Sequence, residues 1–164
     1  MVHPDQRLAG DPDLGSRRRR RPPVTGQRPR IVVVGYDGSS PSERALERAA
    51  TLVGSGGSVV VVTATVRLAS QGVVSQPILD TPPAAERSEL LERSRMLLNE
   101  RGIGATLVAA DADPAEALIQ AAREEEAEMI LVGHAGTGYV ARALLGSTAE
   151  NVLRHAPCDV LVVR

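Results

Sequence analysis

Five short apolar runs punctuate the chain: Ile31–Val34, Val59–Val62, Leu107–Ala110, Met129–Val132 and Val160–Val163. Each is continuous rather than alternating, the pattern of strands covered on both faces in a parallel sheet. Helix start signals lie between them. Ser40-Pro41-Ser42-Glu43 offers a capping serine, a first-turn proline and a glutamate three residues on. Asp113-Pro114-Ala115-Glu116 repeats that logic, and Ser147-Thr148-Ala149-Glu150 is a third box with Ser147 as cap. Leu90, Leu91, Leu97 and Leu98 give Ala84–Glu100 an apolar stripe, closed by Gly102. Gly54-Ser55-Gly56-Gly57 reads as a turn, and Arg67–Thr81, broken by Gly72 and Pro77, as a longer loop. Strand and helix alternating to five strands predicts a doubly wound α/β domain: a parallel sheet with helices on both faces and right-handed crossovers.

Charge divides the 164-residue chain in two. Residues 1–30 hold eight Arg and three Asp, while the remainder holds 11 Arg against 17 acids. The run Arg17–Arg21 followed by Pro22-Pro23 cannot bury enough apolar surface to offset ordering, so residues 1–29 are expected to be a disordered Arg/Pro-rich tail and residues 30–164 the folded domain. A solvated tail and a nucleic-acid arm both fit the Arg run. The net charge of −1 and the absence of Trp and Phe argue against nucleic acid as a partner of the domain. With no Lys, phosphate-loop, Schiff-base and kinase-type lysines are excluded, and a lone cysteine, Cys158, excludes an intrachain disulfide or a Cys-pair zinc site. The lack of a long apolar run and of an apolar segment behind the N-terminal arginines points to a cytoplasmic protein without membrane association.

Ligands of doubly wound sheets bind beyond the carboxyl ends of the strands, where strand order reverses. Two strand ends carry suitable residues. Asp37 follows the first strand in Gly35-Tyr36-Asp37-Gly38-Ser39, where it serves either a tight turn or a ligand. After the fourth strand comes Gly133-His134-Ala135-Gly136-Thr137-Gly138, and Gly146-Ser147-Thr148 opens the last helix. Glycines let backbone N–H groups approach an anion, and a helix N-terminus favours one, so Gly146-Ser147 is a phosphate seat that needs no lysine. The Ser147 hydroxyl can cap the helix and face a phosphate at once. His134 has two readings, a titrating side chain and a contributor of backbone alone. Arg142 is either a phosphate contact or a solvated loop residue.

The spacing Gly133-x2-Gly136-x9-Gly146-Ser147, with Asp37 after the first strand, resembles the universal stress protein family, and the likeness runs from about Arg30 to Arg164. It takes in Asp113-Pro114 and the segment His155-Ala156-Pro157-Cys158 leading into the last strand. The resemblance implies a flavodoxin- or Rossmann-like fold of the adenine nucleotide alpha hydrolase type. It also implies a homodimer built through the C-terminal strand and, in the branch carrying this glycine spacing, ATP binding with Mg carried on the phosphates. By position, Asp37 would meet the adenine or ribose side and backbone near Ala64 would edge the adenine. Gly133, His134, Gly136, Gly146, Ser147 and Thr148 would border ribose and phosphates. Two departures stand out: Ala112 replaces a frequent glycine, and Ala64 is smaller than the usual valine.

Other classes fit less well. Gly136-x-Gly138-x-x-Ala141 has the form of a dinucleotide fingerprint but lacks the acid about 20 residues on. No serine has glycines at both −2 and +2, so there is no nucleophile elbow, and Cys158 reads as a core thiol. A phosphate loop without lysine or carboxylate is poorly equipped for phosphoryl transfer, so slow or no ATP hydrolysis is expected. The expected function is an ATP-binding dimeric stress-response regulator acting on protein partners, the alternative a dimeric adaptor without nucleotide.

Overall fold

A computed structural model describes residues 28–65, 84–134 and 145–164. The expectations for residues 1–27, for Arg67–Thr81 and for Gly136, Gly138, Ala141 and Arg142 lie outside them. In chain order the elements are β1 (Ile31–Gly35), α1 (Ser40–Val53), a 3-10 turn (Gly54–Gly56), β2 (Ser58–Ala64), α2 (Ala84–Asn99), β3 (Gly104–Ala110), α3 (Pro114–Glu124), β4 (Met129–Gly133), α4 (Ser147–His155) and β5 (Asp159–Val163). The five strands form one parallel sheet in the order β3-β2-β1-β4-β5, the doubly wound architecture expected.

The middle of the sheet explains the continuous apolar runs. Val32, Val33, Val34, Val59, Val60, Val61, Ile130 and Leu131 are all at most 1% exposed, because helices cover both faces. On one face Val32, Val34, Val59, Val61 and Leu131 meet Leu46, Ala49 and Val53 of α1 and Leu91 and Leu98 of α2. On the other, Val33, Val60, Val62, Ile130 and Val132 meet Leu118, Ala121 and Ala122 of α3 and Ala149 and Val152 of α4. Gly102, at φ +66°, takes the left-handed conformation that ends α2, as the sequence predicts.

The edges depart from expectation. β3 begins at Gly104, three residues before the predicted start, and its side chains alternate between exposed and half-buried positions. An edge strand has one flank open, so small and polar residues such as Gly104 and Thr106 extend it without forming an apolar run. β5, the opposite edge, is half-exposed along Val160–Val163. Two helix starts also shift by one residue. Ser39, not Ser40, caps α1, its Oγ accepting from the Ser42 amide at 3.3 Å. Gly146, not Ser147, is the cap of α4, and no side chain caps that helix. Asp113 caps α3 as read, its Oδ1 accepting from Ala115 N at 2.9 Å and Glu116 N at 3.2 Å.

Candidate functional site

β1 and β4 are neighbours in the sheet, and the connections leaving them lead to helices on opposite faces. Their carboxyl ends are thus the point where strand order reverses. A continuous set of contacts ties the candidate residues together there. His134 donates its amide to Val163 O at 2.8 Å, and its carbonyl accepts from Gly146 N at 2.7 Å, which fixes the start of α4 beside the tip of β4. Gly133 lies against the first turn of α1: a Cβ on it would stand 2.7 Å from Pro41 Cβ and 2.9 Å from the Pro41 carbonyl carbon. The same turn reaches the tip of β1, where Asp37 N donates to Ser42 Oγ at 3.3 Å. Next, Thr63 donates its hydroxyl to Tyr36 O at 2.8 Å, placing Ala64 at the end of β2 beside the Asp37 segment.

Asp37, Ala64, Gly133, His134, Gly146, Ser147 and Thr148 therefore share the carboxyl edge of the sheet, while Gly136 lies outside the described residues. Asp37 is exposed and its Oδ1 accepts from Ser39 N at 3.0 Å and Ser39 Oγ at 2.6 Å, so the carboxylate does build the turn. Its Oδ2 meets no donor among the described residues. The reading of Ser147 as a cap is corrected. Gly146 has no side chain to offer, so the hydroxyl of Ser147, exposed in the first turn, does not cap, and the leading N–H groups of α4 lack a side-chain acceptor. His134 carries a further unpaired atom: its Nδ1 is buried and without a hydrogen-bond partner.

Three features escaped the sequence reading. Ser39, Pro41 and Ser42 form the floor between Asp37 and Gly133, and the signal was present in the paired serines after Asp37-Gly38. Arg87, in the first turn of α2, spans the ends of β2 and β3. Its Nη1 donates to Asp111 Oδ1 at 2.7 Å and to Thr65 Oγ1 at 3.0 Å, with the side chain only 15% exposed. No local pattern joins Arg87 to Asp111, which is 24 residues away. Tyr36 is buried with its hydroxyl unpaired, and burial raises its pKa while the Arg93 charge opposes the rise. Cys158, expected in the core, is half-buried at its margin, packed against the cluster that α3 and α4 cover. Burial, with help from the Asp159 carboxylate, pushes it up to about 11, so little thiolate forms at neutral pH. Among the described residues no cluster of His, Cys, Asp and Glu could hold a metal, and no helix is long and apolar enough to cross a membrane.

Comparison with known proteins agrees with this architecture. Residues 29–164 match the universal stress protein family. A universal stress protein of Mycobacterium tuberculosis H37Rv is 32% identical over 142 residues, covering 82% of this chain and 95% of that protein. Among solved structures, a universal stress protein in complex with cAMP superposes at a TM-score of 0.64 with 26% identity, over 84% of this chain and 99% of that one. The universal stress protein UspA from Lactobacillus plantarum superposes at 0.71 with 20% identity, over 84% and 99% of the two chains, a likeness of fold. With Gly133, Gly146 and Asp37 on one sheet edge and the family match spanning residues 29–164, this chain belongs to the universal stress protein family.

Proposed function

We propose that this protein binds an adenine nucleotide, ATP with Mg on its phosphates, at the carboxyl edge between β1 and β4, and that the bound state acts as a regulatory signal to protein partners. The observation that carries the reading is the glycine-capped start of α4, held by the 2.7 Å bond from Gly146 N to His134 O. Its leading N–H groups have no side-chain acceptor, and an anionic oxygen is the partner that a helix N-terminus favours. The residue whose carbonyl holds that helix start, His134, also carries a buried ring nitrogen without a partner. Ser147 and Thr148 would add hydroxyls, Asp37 Oδ2 would accept from the sugar or base, and Ala64 would flank the ring. The cAMP complex of the family member described above supports an adenine nucleotide as ligand class.

The chain's own residues bind and orient in this scheme. ATP would supply the charge that α4 and His134 lack, and Mg would screen the phosphates from one another. Turnover is slow or absent, since the described edge between β1 and β4 offers a carboxylate in a turn, while the Arg87 guanidinium stands at the ends of β2 and β3 and is paired with Asp111. The test is calorimetric titration of Mg-ATP into the parent and into Gly146→Val. Micromolar binding by the parent and loss in the variant is the expected result. Binding by neither sinks the nucleotide reading and leaves an adaptor that works through protein partners alone.

A further inference from the structure

We propose that Arg87 is a positioning residue for base recognition: by bridging the ends of β2 and β3 it fixes the peptide groups of Ala64, and so sets a preference for adenine over guanine. The inference rests on the nucleotide reading above and deepens it. Consecutive residues of a strand turn their peptide groups to opposite sides. Val62 O accepts from Tyr36 N at 3.0 Å and Thr65 N donates to Ala110 O at 3.0 Å, so even-numbered residues of β2 face β1 and odd-numbered ones face β3. The N–H and C=O of Ala64 therefore point to the β1 side. Pairing with β1 stops one step earlier, at Gly35↔Val62, because the chain leaves the sheet through the Asp37-Gly38 turn. Tyr36 O, where the next rung would form, accepts the Thr63 hydroxyl at 2.8 Å. Among the described residues Ala64 has no backbone bond on that side. A donor and an acceptor of one residue thus stand open at the carboxyl edge.

A strand end without a neighbour on one flank is held from the other, and Arg87 does the holding. From the first turn of α2 its Nη1 donates to Thr65 Oγ1 at 3.0 Å and to Asp111 Oδ1 at 2.7 Å, and stands 3.5 Å from Ala110 O. The residue after Ala64 and the residue after its β3 partner Ala110 are thereby tied to one largely buried guanidinium. That group keeps its N–H bonds in a single rigid plane, so the spacing of the two acceptors is set as well. Adenine offers an acceptor at N1 and a donor at N6, the complement of a peptide N–H and C=O. Guanine offers the reverse, a donor at N1 and an acceptor at O6, and sets like against like. Telling them apart requires Ala64 to stay in place, and Arg87 supplies that without touching the ligand.

The experiment measures Kd for Mg-ATP, Mg-GTP and Mg-tripolyphosphate with the parent, Arg87→Met and Thr65→Val, after a denaturation curve for each. The parent should prefer ATP to GTP. Both variants should lose about tenfold in ATP affinity, the worth of one hydrogen bond, with GTP and tripolyphosphate unchanged. Arg87→Lys, which keeps the charge but not the rigid plane, should fall between. Without any ligand, the Thr65 amide should exchange with solvent faster in Arg87→Met, while that of Val33 at the centre of the sheet keeps its rate. A merely structural role would weaken all three ligands together. Equal losses for the three, an unchanged preference in both variants, an unchanged Thr65 exchange rate, or a parent that binds ATP and GTP alike would each overturn the assignment while leaving nucleotide binding intact. A parent that binds neither nucleotide overturns the nucleotide reading and this inference with it.

Discussion

Gly133 illustrates how a residue can be found in the sequence for one reason and required by the structure for another. Its place in the glycine spacing marks a close approach of backbone to an anion, yet the closest approach in the structure is to Pro41 and Ser42, with a Cβ at 2.7 Å from Pro41 Cβ and 3.1 Å from Ser42 N. Backbone and a rigid proline ring cannot move aside as a flexible side chain would. Gly133→Ala should therefore destabilise the fold by about 1–3 kcal/mol, the range for overpacking a filled interior. A urea midpoint equal to that of the parent would show that α1 shifts freely and that the contact is slack. Asp37 was equally legible as a carboxylate past a strand, and its bonds to Ser39 are the tight-turn role that Asp37-Gly38 offered beside the ligand role.

At the scale of the element, the capping signals were legible in kind and shifted in register. Asp113 is flanked by Ala112 and Pro114, neither of which can cap, so only one choice existed and it holds. Ser39-Ser40 and Gly146-Ser147 each present two adjacent candidates, and the chain's exit from β1 or its bond to His134 selects the first. The two helices then make opposite predictions. Asp113→Ala should cost about 1 kcal/mol of stability through loss of its bonds to Ala115 N and Glu116 N. Ser147→Ala should leave the denaturation midpoint within a few tenths of that of the parent, because no cap is removed, while weakening nucleotide binding. A loss of stability in Ser147→Ala comparable to that of Asp113→Ala, read from paired denaturation curves, would restore Ser147 as the cap. The early start of β3 was hidden for a different reason: an edge strand extends by backbone pairing from Ser58↔Gly104 onward, and pairing leaves no mark in hydropathy.

For the molecule as a whole, five apolar runs and their spacing were enough to specify a doubly wound sheet, since buried parallel strands must be apolar on both faces. Which runs lie at the edges was not legible, because β5 is as apolar as the centre although it is half-exposed in the single chain. An apolar strand with an open flank suits the proposed homodimer. The bond of Val163 O to His134 N directs the odd-numbered residues of β5 toward β4, so the N–H groups of Val160 and Val162 face the open edge. Val162→Pro removes one of those donors without touching the β4 ladder. Light scattering should find the parent as a dimer and this variant as a monomer with an intact circular-dichroism spectrum. A monomeric parent would rule out the C-terminal strand as a dimer interface.

The clamp at His134 has a mechanical corollary. Eleven residues separate His134 from Gly146 along the chain, yet a 2.7 Å bond joins them in space. The amide of the same residue holds Val163 O at 2.8 Å, so the backbone of one residue at the tip of β4 ties together the last strand and the last helix. A force applied to the start of α4 is thereby delivered to the end of β5, and a displacement at either is felt at the other.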